Sequence, residues 1–128
     1  MDRRDRGSAP VEFVLVSVLL VAVTLAVLQI SFVAHIRSIA IDSAIAGAAH
    51  AALADTTDTD GVVRTEDLIG RGIARGLVQG VSVNSARVGN REVVVVSANL
   101  AIPIVGPWLH VTTLEVRGRA FREVLSNE

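Results

Sequence analysis

The chain is 128 residues long, 51% of them apolar, with a formal net charge of −1. That length allows one small domain. The near-neutral balance, with no Tyr, three Phe and one Trp, leaves no basic patch interleaved with aromatics and so no nucleic-acid partner. Cys is absent, which excludes disulfides, thiol catalysis and Cys-ligated metals. Without a covalent staple, stability must come from packing, within the chain or against other subunits.

Taken in chain order, the first seven residues (MDRRDRG) are short and charged. Residues 13–34, 22 in all, then carry no charged side chain. A helix rising 1.5 Å per residue would cover about 33 Å over that stretch, enough to cross a hydrocarbon core of ~30 Å. Ser17, Thr24, Gln29 and Ser31 are polar but uncharged. Arg3, Arg4 and Arg6 precede the run and Arg37 follows it, so the basic excess predicts a cytoplasmic N-terminus. The helical pattern continues past the apolar run. Ala40, Ala44, Ala48 and Ala52 form one small-residue stripe, and Ile41, Ile45, Ala49 and Leu53 an apolar one beside it. One helix over residues 10–54 is predicted. Residues 8–34 lie in the membrane, and 35–54 continue outside as a face that can receive a sheet or a helix.

Residues 55–61 (DTTDTDG) read as a polar break, and 55–64 as an acidic loop. Thr65 then suits an N-cap, with Glu66 and Asp67 in the first turn of a helix over residues 66–79. Ile69, Ile73 and Leu77 would form its apolar line. Gly72, Gly76 and Gly80 would form a close-packing line, with Arg71, Arg75 and Gln79 on the wet face. The remainder reads as strand. A first strand covers 81–88, with Gly89-Asn90 as a tight turn. A second covers 91–102, with Val94, Val96, Ala98, Leu100 and Ile102 on one face. After a break at 103–107 (PIVGP), a third covers 109–121, with Leu114, Val116, Gly118 and Ala120 inward. The fold class is α+β: a long N-terminal transmembrane helix continuing as a spine, a short second helix and a three-stranded antiparallel β-meander. Residues 65–128 make the extracytoplasmic domain and 1–7 a cytoplasmic leader.

Residues 6–13, R-G-S-A-P-V-E-F, lead straight into the uncharged run. A carboxylate so close to lipid is costly and needs a reason. One reason is electrostatic: Glu12 charges the first helical turn, where Pro10 also fits. The spacing offers another. Gly7 followed by Glu12 after an Arg-rich start resembles the cleavage signal of type IV prepilins, particularly the short Flp and Tad classes. The whole chain looks like the TadE-like family of minor pseudopilins, densest in likeness over 6–34, continuing through the helix to 54, and by pattern alone in the strands. The resemblance implies a pilin-like fold and a prepilin peptidase that cuts between Gly7 and Ser8. Ser8 would become the new N-terminus, Glu12 the fifth mature residue and Phe13 the sixth, with Glu12 and Phe13 serving subunit assembly. It implies as partners the membrane, the peptidase and other pilins or Tad assembly proteins, with no cofactor and no small-molecule substrate. Two features depart from the family pattern: Pro10 lies inside the signal, and the stretch around Gly47 (IAGAAHAAL) has no acidic residue.

Rival readings fit the residues less well. A secretory signal peptide needs a shorter apolar run and a small-x-small site just after it, and Ala52-Leu53-Ala54 lies about twenty residues too far on. Asp58-x-Asp60-Gly61 matches part of a calcium loop, but Thr56 stands where that loop opens and Asp67 where a bidentate Glu closes it. His35, His50 and His110 have no metal-ligand spacing. No nucleophile motif or dinucleotide fingerprint occurs, and Gly70 to Gly76 (GRGIARG) follows no strand. Trp108 suits a membrane-interface, subunit-contact or loop-anchoring residue. An enzyme is therefore not expected. A membrane-anchored binding or scaffold protein that is never processed is the alternative to the pseudopilin.

Overall fold

The computed structural model describes residues 8–104 and 110–123. Residues 1–7, expected as a leader, and residues 105–109 lie outside that range. The described elements are α1 (Ser8–Ala51), α2 (Asp58–Gly72), a 3-10 turn (Arg75–Leu77), and strands β1 (Val78–Val88), β2 (Arg91–Ile104) and β3 (His110–Phe121). Contacts divide the chain into two units, Met1–Phe32 and Val33–Glu128. The division falls two residues before the end of the uncharged run.

The first unit holds the apolar part of α1, whose side chains from Val11 to Phe32 are largely exposed. Ser17, Thr24 and Ser31, seven residues apart, each donate a hydroxyl to the carbonyl four residues back, at 2.8, 2.8 and 2.9 Å. Those bonds satisfy the three hydroxyl donors within the apolar run.

In the second unit the rest of α1 lies on an antiparallel sheet of order β1-β2-β3. The buried line on α1 is Ile36, Ala40, Ser43, Ala44, Gly47, Ala48 and Ala51. It faces Val94, Val96, Ala98, Leu100 and Ile102 of β2, all fully buried, together with Ile69 of α2 and Val116 of β3. Small residues on the helix let it approach closely. A Cβ at Gly118 would fall on the backbone of Ala44 and Ile45. The expected small-residue stripe is thus the seat of the sheet. Of the Ile41, Ile45, Ala49 and Leu53 stripe only Ile41 packs against the core; the other three are exposed, Ile45 to 46%, because the closely approaching sheet spans the alanine side.

α1 ends at Ala51 rather than 54. Its last carbonyls find partners beyond the helix. The Thr56 hydroxyl donates to His50 O at 2.5 Å, and the Glu123 amide donates to Ala52 O at 2.9 Å. Such partners satisfy groups that a helix end leaves open.

α2 corrects the sequence reading at both ends. It starts at Asp58, not Glu66, and stops at Gly72, not Gln79. Thr57 is the N-cap. Its backbone amide and hydroxyl donate to Asp60 Oδ2 at 2.8 and 2.7 Å, while its hydroxyl oxygen accepts from the Asp60 amide at 3.3 Å. This reciprocal capping box lies within the stretch that reads as a break. Thr65, expected as the cap, is buried in mid-helix, donating to Gly61 O at 2.8 Å. Gly61 is no turn residue. α2 crosses α1 there, and a Cβ on Gly61 would stand 2.5 Å from the Ala51 Cβ. Of the three expected packing glycines only Gly72 meets a neighbour, Ile39. Gly76 lies in the 3-10 turn and Gly80 in β1, both facing open space.

The strands follow the expected alternation, with longer bounds for β1 and β2. β1 begins at Val78 and carries a register shift between Val78 and Gly80. β2 runs on through Pro103 to Ile104. Its last partner on β1 is Leu100, so one side of β2 is free where proline lacks a donor. Gly89 has φ +62, as the first central position of a type II′ hairpin turn requires, with Val88 paired to Arg91 across it.

Candidate processing and assembly site

The residues singled out at the N-terminus meet the structure at its first described position. Ser8 opens α1, and Gly7 lies outside the described residues. Pro10 falls in the first turn, whose amides have no acceptor within the helix, so its missing donor costs nothing there. The first turn holds no acidic residue. Glu12 follows it, one full turn above Ser8, and the dipole reading of Glu12 therefore loses its geometric basis. Helical rise places these two residues about 6 Å apart along the axis. Glu12 is exposed and Phe13 is 73% exposed. Among the described residues no ion pair involves Glu12. An apolar surface from Val11 to Phe32 with a single carboxylate at its start is built to meet something other than water.

The other polar clusters are structural. An open groove of about 660 Å³ is lined by His50, Asp60, Val63, Arg64, Glu66, Asp67, Arg75 and Val78. Two of its three acids, Asp60 and Asp67, are already engaged. Asp60 belongs to the capping box, and its carboxyl is held below the ordinary value by the Thr57 backbone amide first and the Thr57 hydroxyl second. Asp67 pairs with Arg71 at 2.9 Å and stands 3.9 Å from Arg75. The groove presents no nucleophile beside a base. Among the described residues no cluster of three His, Asp or Glu side chains could hold a metal ion.

Asp58 and Asp60, read against a calcium loop, lie in the first turn of α2, with Asp58 bound to Arg122 at 2.8 Å. Arg122 is the residue that sequence reading missed. Its backbone amide donates to Glu92 O at 2.9 Å, and its Nε stands 3.5 Å from Glu92 Oε1 without hydrogen-bond geometry. It ties the end of β3 to the starts of α2 and β2. No local pattern marks it, because its partners lie far off in sequence. His35 is exposed, and Trp108 lies outside the described residues.

A long apolar helix whose second half carries a small antiparallel sheet, with a short helix beside it, is a pilin-like α+β arrangement. α1 is long and apolar enough to cross a membrane by length and composition. Residues 7–49 match the family model described as TadE-like protein. The match begins at Gly7 and covers the motif, the apolar run and most of the helix that receives the sheet. It supports a general structural role of the pilin type. No curated protein and no solved structure matches the chain.

Proposed function

We propose that this protein is a TadE-like minor pseudopilin. It inserts with its N-terminus in the cytoplasm, residues 8–34 in the membrane and the domain after residue 54 outside. A prepilin peptidase cuts it between Gly7 and Ser8, and it then takes part in assembling a tight-adherence pilus. The observation that carries this reading is a coincidence at one point of the chain. The family match begins at Gly7, the residue from which the spacing to Glu12 is counted.

The chemistry belongs to the peptidase, and this chain is its substrate. Cutting removes Arg3, Arg4 and Arg6 and leaves an α-amine on Ser8. That amine and the Glu12 carboxylate are opposite charges beside an apolar surface. Where helices stack with a stagger, the carboxylate of one copy or neighbour meets the amine of the next. Pairing offsets the cost of holding either charge away from water. Phe13, next to Glu12 and exposed, adds apolar area to the same contact.

Two substitutions test the reading. Gly7→Lys is expected to leave the leader attached and to stop assembly. An unchanged terminus and unchanged assembly would overturn the proposal in favour of a plain membrane anchor. Glu12→Ala is expected to be cut normally yet fail to assemble, since leaving a poorly solvated charge unpaired costs about 3–5 kcal/mol.

A further inference from the structure

Both outer strands of the sheet leave an edge open. The Arg122 amide donates to Glu92 O at 2.9 Å, so Glu92 turns its backbone groups toward β3. Arg87, its partner on β1, therefore turns its own groups away from β2. By the two-residue period the same holds for Val81, Val83 and Ser85. On β3 the residues that alternate with Arg122, among them Glu115, Arg117, Arg119 and Phe121, turn outward in the same way. Among the described residues no backbone hydrogen bond reaches these outward groups. Of the β3 series only the next amide, that of Glu123, has a partner, Ala52 O. An unpaired strand edge accepts one kind of occupant, another extended backbone.

The β3 edge also borders a groove. Arg37 and Ile41 of α1 enclose about 400 Å³ of open space with Glu115, Val116 and Arg117. Ile45 and Ala49 continue the Arg37–Ile41 ridge at four-residue spacing, and both are exposed. A strand laid here finds backbone donors and acceptors beside it and an apolar helix ridge above it. β1 carries what fits. Val81 and Val83 are half-buried on the face of the sheet that meets the helices. Arg87 is the only charge between Val78 and Val88, and no proline interrupts the strand. β1 and β3 both run antiparallel to β2, so they run the same way as each other.

We propose that a second copy of this chain adds its β1, in parallel, to the free edge of β3, so that the sheet continues from one copy into the next. Copies held through α1 in one bilayer point the same way. β1 on β3 joins such copies with strands parallel and the helices on one face of a continuous sheet. That common direction rests on the membrane reading of α1 given above. One register brings three apolar pairs together. Val88, 61% exposed, comes beside Phe121, 58% exposed, while Val81 comes beside Leu114 and Val83 beside Val116. The contact uses a different surface on each partner, so it repeats from copy to copy instead of closing on a pair.

The same register sets Ala86 beside Arg119, and both are exposed. Within one copy β2 lies between them, which puts them beyond the reach of a disulfide. The chain has no Cys of its own. In membranes of cells that express the full chain, mild oxidation of the Ala86→Cys/Arg119→Cys double variant is expected to give a ladder of disulfide-linked oligomers. The two single variants coexpressed should give dimers, and either one alone should stay monomeric. Ser85→Pro removes an outward donor and leaves the pairing with β2 whole, so in the double variant it should abolish the ladder. No ladder, a ladder that survives Ser85→Pro, or dimers from one single variant in equal yield would overturn the pairing. Alkaline carbonate extraction of the same membranes reads the anchor separately. Chain retained in the pellet without a ladder overturns the pairing alone, and chain released from the pellet overturns the membrane reading beneath it.

Discussion

At the scale of single residues, three glycines decide how the domain closes. Gly118 lets β3 lie against the α1 backbone at Ala44, while Gly47 makes room for Thr65 and Gly61 for Ala51. Gly118→Ala is expected to cost about 1–3 kcal/mol, the range for forcing extra volume into a filled core. Gly76→Ala, where a Cβ meets nothing, should stay within about 0.5 kcal/mol of wild type. Denaturation of the full chain in detergent would separate the two, and equal effects would refute the close approach. The alternation of β3 showed that Gly118 faces inward. It could not show that the opposing surface is helix backbone, because that depends on the distance between elements. Asp60 sets a second residue-scale expectation. Hydrogen bonds from Thr57 hold its folded carboxyl below the usual value near 3.8. Its contribution is therefore complete above the unfolded value and is lost as pH falls through the folded one. Domain stability should decline below about pH 4 less steeply in Asp60→Asn than in wild type.

At the scale of elements, legibility followed the length and regularity of the pattern. The long helix and the three strands stood out because alternation and uniform apolarity run over many residues. α2 was misplaced for identifiable reasons. Asp58, Asp60 and Gly61 resemble turn residues, yet Thr57 and Asp60 close a capping box with Asp where Glu or Gln is the usual partner. The Ile69, Ile73 and Leu77 spacing imitated a helix face, although Ile73 and Leu77 reach the core from the turn after it. Replacing the cap, Thr57→Ala, should cost about 1 kcal/mol. Chemical denaturation checks that value, and a Thr65→Ala phenotype confined to packing would separate the true cap from the one the sequence suggested. At the N-terminus, Ser8 and Glu12 are singled out only through the prepilin resemblance that their spacing carries. The structure supplied their setting, with Glu12 past the first turn on an exposed apolar helix.

At the scale of the whole molecule, the chain joins an apolar helix that buries nothing in its own fold to a domain that closes without it. The Val33–Glu128 unit has its own core, built on the second part of α1 and satisfied by the sheet and α2. The exposed helix is then free to serve the membrane first and other subunits later, and the cut at its start is what would release it from the one state to the other. Mass spectrometry of the N-terminus of the protein, isolated from cells that carry the cognate prepilin peptidase, tests that directly. The account predicts a mature chain that begins at Ser8, with Glu12 as its fifth residue. A chain that still begins at Met1 or Asp2 in the presence of active peptidase would contradict it.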